Sequence, residues 1–296
     1  MEDLRGQDIR RMEPTVPSAE AAARSGRRCG RAGMKSCRHR TPVRLDVEMT
    51  GSGIAIGPAL VTLLVLLVGL GAAIGYLAGL GVGRAVLTAS LRAVLQLAFV
   101  STLIAAVLNA AWATAGFVAL MLAVAVVTSA RRIGSIRTAW PVAAAIAAGA
   151  LPVGAAIVLS GVMPLTTVAV LPIAGILIGG AMTAASLAGR RALDELRQRH
   201  GEYEAALAIG LLPRDAALEI CRPTAGQALV PALDQTRTVG LVTLPGAFVG
   251  VMLGGGSAVQ AGATQVLVLI ALLAVEAVTA SAALEFVARG WIQRPI

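Results

Sequence analysis

The chain has 296 residues, of which 57% are hydrophobic and only 14% charged, with a mean hydropathy of +0.80 and a formal net charge of +9. Soluble domains carry about a quarter charged residues, so this composition excludes one and points to an all-α, polytopic transmembrane bundle. Lys35 is the only lysine and no Gly-Lys-Ser or Gly-Lys-Thr occurs; the chain has no phosphate-cradling loop of its own and is expected not to be an enzyme.

Residues 1–48 hold 11 of the 25 basic and 7 of the 16 acidic residues with no apolar period, and read as a disordered basic tail. No apolar region follows at signal-peptide distance, and the acidic residues argue against a mitochondrial presequence. Composition changes abruptly at Met49, and we expect translation to start there, with the preceding residues a mis-called extension. Cys29, Cys37 and His39 lack zinc-site spacing. Neither a cofactor nor a nucleic-acid partner is expected.

Residues 49–296 form the membrane domain. Four stretches, 50–83, 93–130, 138–189 and 238–275, contain no Asp, Glu, Lys or Arg, and each holds one or two spans of about 20 residues. The predicted spans are about 54–78, 86–108, 112–129, 140–160, 167–187, 239–253 and 264–284. Gly71, Gly75, Gly79 and Gly83 recur every fourth residue in and after the first, which suits close helix approach. Arg92 and Gln96 share one face of the second. Arg84, the loop with Arg131, Arg132 and Arg137, residues 190–237, and Arg289 with Arg294 fall on one side of a seven-span chain. By the positive-inside rule that side is cytoplasmic, giving an N-out/C-in protein of the cell membrane.

The polar stretch 190–237 organises the rest. Leu193, Leu196, Tyr203 and Leu207 recur at helical intervals, and Arg190 with Asp194, Arg191 with Glu195 and Glu195 with Arg199 are spaced for pairing. This predicts an amphipathic helix continuing out of the fifth span to Leu207. Gly210 allows a tight stop, Pro213 suits a helical first turn, and a second short helix follows. Glu204, Ala205, Ala206, Gly210 and Pro213, followed by Ile220 and Pro223, resemble the coupling loop of ABC-transporter permeases, which docks on an ATP-binding subunit.

The resemblance extends through Leu91–Leu97, Leu171–Gly175, Leu207–Gly210 and above all Val239–Gly246 followed by Leu253–Gly255, which look like the FetB-type permease family over about residues 54–290. The resemblance implies a permease that works with a separate ATP-binding subunit, in a family associated with iron export in bacteria and aluminium tolerance in plants. The chain departs from the family pattern at Ala247–Val249, where Met-Met-Thr is usual, and at Gly179–Gly180, where Gly-Asn is usual. The likeness therefore carries the architecture further than the substrate, and direction of transport stays open.

Glu276 lies deep in the last span, where an unpaired charge costs roughly 3 kcal/mol or more. Two readings stand: a transport pathway using Glu276, Arg92 and Gln96, or an Arg92–Glu276 pair that fixes helix packing. Pro245 and Gly246, with Gly250 and Gly254, can break or kink the sixth span and turn carbonyls toward a cavity, or Gly246, Gly250 and Gly254 form a small-residue stripe for helix contact. Met121, Met163, Met182 and Met252 read as apolar filling, and no ligand cluster names a metal. A self-sufficient proton-coupled transporter working through Glu276 is the alternative to the ABC permease. Seven spans are few for a whole pathway, so a homodimer in the lipid bilayer is expected.

Overall fold

In the computed structural model, residues 57–107, 110–134, 136–163 and 166–293 are described. The expected basic tail and the start at Met49 lie outside the described residues. The chain divides into two units, residues 1–64 and 65–296. Of the first, only 57–64, the opening of the first helix, is described, and the packing below concerns the second.

Among the described residues ten α-helices follow in chain order: α1 Pro58–Leu77, α2 Gly83–Val107, α3 Ala111–Ile133, α4 Ala139–Leu159, α5 Thr167–Gln198, α6 His200–Ala208, α7 Pro213–Ala225, α8 Val230–Thr238, α9 Gly246–Leu253 and α10 Ala258–Ala288. The protein is all-α, and no strand is formed among the described residues. Among the described residues six helices, α1 to α5 and α10, are long and apolar enough to cross a membrane, as the charge-free stretches demand: lipid offers no partner to backbone N–H and C=O groups, so each span must satisfy its own.

The sixth predicted span is not formed as a single helix. Residues 239–253 give only the eight-residue α9, preceded by a link in which Gly240 has φ +83° and Val239 bridges Thr243. At 1.5 Å per residue α9 is about 12 Å long, far short of a hydrocarbon core about 30 Å thick. The cause is local: Gly240 takes a left-handed conformation, and Pro245, extended at ψ 155°, caps α9 and cannot donate an N–H.

Helices α3, α4, α5 and α10 build the core. Their contact faces are unusually small. Ala145 of α4, Ala184 and Ala188 of α5, and Ala280 and Ala283 of α10 meet in one buried cluster with Ala228, which lets the backbones approach closely without a solvent-driven hydrophobic term. A Cβ at Gly149 of α4 would lie 2.1 Å from Thr279 Oγ1 and 2.6 Å from the Val275 carbonyl, so only glycine fits there. The buried hydroxyls of Ser129 and Ser186 hydrogen-bond at 2.9 Å between α3 and α5.

These contacts fix direction. Gly180 lies against Leu272 and Glu276, and Leu196 packs by Leu284 and Ala288, so α5 and α10 run parallel. The chain between them must return along α10. At Ala228 it is still level with Ala280 and Ala283, and at Ser257 it caps α10. That interval of α10 is about 33 Å. The return is made in pieces, by α8, the link 239–245 and α9, which packs on α10.

Candidate functional site

The stretch 199–225 forms a helical hairpin beyond the end of α5. The single amphipathic helix predicted to Leu207 is instead two, because Arg199 leaves helical geometry (φ −108°, ψ 35°) and α6 starts anew at His200. Arg199 holds the corner: it donates to Glu195 at 3.3 Å and grips Glu202 with two nitrogens. The Glu202 hydrogen bond raises the Arg199 pKa, and the same contact lowers that of Glu202. Gly210, at φ +93°, turns the chain, and Pro213 occupies the first turn of α7. Both places suit their residues: a left-handed φ costs glycine nothing, and the first turn has a spare N–H position.

The hairpin presents an apolar tip. Ile209 is 80% and Leu212 68% exposed, beside the exposed Glu204, Ala205, Gly210 and Pro213, while Ala206 is half-buried. Glu204 lies 3.4 Å from His200 Nδ1. Below the tip, α7 buries Ala216, Ala217, Leu218, Ile220 and Cys221 against α5 and α10. Cys221 Sγ donates to the Ala192 carbonyl at 3.4 Å, and burial pushes its thiol up to about 11.

Arg214 fastens the hairpin to α10. Its Nε and Nη2 donate to the two carboxylate oxygens of Glu285 at 2.6 and 2.8 Å, Nη1 reaches Asp215 at 2.9 Å, and Arg289 donates to Glu285 at 2.7 Å. The Glu285 hydrogen bonds raise the Arg214 guanidinium above its ordinary range. A planar two-point pair of this kind fixes orientation as well as distance. The end of α10 is set further by Trp291, which stacks on Phe286, meets Trp140 at 5.2 Å and lies beneath Arg289.

Glu276 sits nine residues, about 14 Å, up α10 from Glu285. It is buried at 7% exposure, faces Gly180 of α5, and has no hydrogen bond or ion pair among the described residues. Two further polar side chains share its face: Gln265 at 4% and Thr279 at 0% exposure, with Gln265 Oε1 and Thr279 Oγ1 both lacking partners. Sequence reasoning passed over Gln265 and Thr279. The available signal was spacing: Gln265 and Glu276 are 11 residues apart and Thr279 three further on, which places all three on one helical face.

The other expected pathway residues lie elsewhere. Arg92 and Gln96 are on α2, which packs on α3 and not on α10, and Arg92 lines a cleft with Arg131 and Arg132. No Arg92–Glu276 pair forms. Pro245 and Gly246 start α9 within the broken return. Among the described residues no group of three His, Cys, Asp or Glu could hold a metal, and Met121, Met163 and Met182 pack against the apolar core.

Comparison with known proteins places this architecture. The chain is 34% identical over 197 residues to the UPF0014 membrane protein STAR2 of rice, covering 65% of this chain and 69% of that one. It is 38% identical over 113 residues to Protein ALUMINUM SENSITIVE 3 of Arabidopsis thaliana, covering 38% and 41%. It is 35% identical over 133 residues to the Probable iron export permease protein FetB of Escherichia coli, covering 44% and 50%. No solved structure matches the chain significantly. The family model described as "Uncharacterised protein family (UPF0014)" matches residues 58–292, which takes in every helix described above, and the chain is a multi-pass membrane protein belonging to that family.

Proposed function

We propose that this chain is the membrane permease subunit of an ABC transporter, driven by a separate ATP-binding subunit that docks on the α6–α7 hairpin and exporting iron or another metal ion. The observation that carries the reading is the hairpin itself: an exposed apolar tip, Ile209 and Leu212, held rigidly to α10 through Arg214 and Glu285. A partner that moves the tip moves the end of α10. That displacement is delivered to the face bearing Glu276, Thr279 and Gln265, and to the broken return 239–257 with Pro245 and Gly246. The cargo is suggested by the name of the Escherichia coli relative.

Glu276 is the group we assign to cargo or proton along the pathway. Glu276 does not line the Arg92 cleft, and α5 covers it within one protomer, so we propose that two copies together make the path in the cell membrane. The arginine-rich ends, Arg84, Arg131, Arg132 and Arg289, favour N-out/C-in, with the broken return as the sixth crossing. The buried, unpaired Glu276 also favours a second reading, a proton-coupled transporter without an ATPase partner.

A candidate ATP-binding subunit reconstituted in liposomes separates the two. Its ATPase activity is expected to rise several-fold with this chain and to lose that rise with Glu204→Lys, which reverses a charge beside the tip. A partner that neither binds nor responds overturns the ABC reading in favour of proton coupling.

A further inference from the structure

Between Glu48 and Asp194 the sequence contains seven arginines and no acidic residue. Three of them, Arg92, Arg131 and Arg132, line one cleft of about 560 Å³ between α2 and α3, with the Thr128 hydroxyl beside them and Val124 and Val127 on its wall. None of the three has a carboxylate partner among the described residues. Arg92 lies nine residues into α2, about 14 Å from its start, and Arg131 and Arg132 end the antiparallel α3, so the long Arg92 side chain reaches toward the level of the other two. Helix α2 buries nothing in the core along its membrane window, and Leu91, Val94 and Leu95, in the turns around Arg92, are exposed.

Three exposed guanidinium groups without a carboxylate, two at the end of α3 and one about 14 Å into α2, share this cleft and attract an outside counter-charge. Guanidinium forks match phosphate oxygens in pairs, and basic pockets between membrane helices hold anionic head groups. We propose that the Arg92–Arg131–Arg132 cleft is a binding site for a phosphate group, carried on an anionic phospholipid whose glycerol and acyl chains lie along Val124, Val127 and the apolar face of α2. The charges position the head group, and the valine wall distinguishes a lipid from a free anion. The site is separate from the docking hairpin and from Glu276, and does not depend on the transport reading.

The test uses the full chain purified in a neutral detergent. Thermal stability and native mass spectrometry are read while dioleoylphosphatidylglycerol, dioleoylphosphatidylcholine or inorganic phosphate is added. The expected result is a stabilising shift and a retained adduct with phosphatidylglycerol, absent with phosphatidylcholine, and a roughly fivefold weaker apparent affinity for each arginine removed. Arg92→Gln and Arg131→Gln/Arg132→Gln make the comparison. Arg197→Gln, an exposed charge outside the cleft, serves as control. If Arg92→Gln does not fold, the double variant and the control still decide. A response to inorganic phosphate that the cleft variants lose keeps the phosphate site and names a free anion as its source. Equal binding by wild type and cleft variants, or equal loss in the control, overturns the proposal.

Discussion

At the scale of single residues, the core depends on glycine where two helices touch backbone to backbone. Gly149→Ala places a methyl group against Thr279 Oγ1 and the Val275 carbonyl, and backbone cannot swing aside. We expect it to cost about 1–3 kcal/mol, while Gly154→Ala, with nothing within 4 Å on the same helix, changes little. Thermal unfolding of the two variants in one detergent checks the difference. Cys221 yields a second expectation. Thiolate is the reactive form, and burial raises this thiol from its ordinary 9.0 to about 11. Alkylation of Cys221, followed by peptide mapping, should stay slow at pH 8 in folded protein and become fast on unfolding. The sign of the linkage follows: between about 9 and about 11 the unfolded state binds fewer protons than the native one, so this group's contribution falls as pH rises through that window.

At the scale of elements, the hairpin and α10 are expected to act together only while Arg214 and Glu285 are paired. Arg214→Gln should leave partner binding at the Ile209–Leu212 tip nearly intact but lower partner-stimulated transport several-fold. Glu276→Gln should abolish transport with folded protein still in the membrane, and loss of folded protein instead would make Glu276 a packing residue. Binding by pull-down and flux in the same liposomes separate these outcomes. The six long helices were legible from sequence because a span is an uninterrupted apolar run, and charge-free stretches mark it directly. The corner at Arg199 was not, since Glu195, Arg199 and Glu202 keep helical spacing through a break that only backbone angles reveal. Residues 239–253 misled for the opposite reason. Their apolarity and length suit a span, but Gly240 and Pro245 interrupt the hydrogen-bond ladder. Gln265 and Thr279 were missed because a neutral polar residue in an apolar run gains meaning only from what other helices bring against it.

For the whole molecule, burial is uneven. Half of the most apolar window of α10 is buried but only 6% of that of α1 and none of that of α2. The proposal of two copies is checked by light scattering of the detergent-solubilised chain, where the protein component should be about twice 29.9 kDa. A mass of one chain under conditions that retain partner binding would require the path to form within a single protomer. The α6–α7 hairpin and the buried face of α10 belong to one packed unit, so the motion of the proposed partner would have a mechanical route into the bilayer.

The broken return also constrains how the protein is made. A ribosome delivers residues 230–257 before α10 exists, and neither α8 nor α9 offers the run of about 20 apolar residues that would carry it into lipid by itself. Its link can shed its backbone polarity only against protein, and its main support is α10. As the proposed sixth crossing, this segment would insert only after synthesis of the helix that follows it. A chain truncated before Ala258 should keep α1 to α5 in the membrane yet leave residues 230–257 on the side where α5 ends, open to protease, and completion of the chain should draw them out of reach.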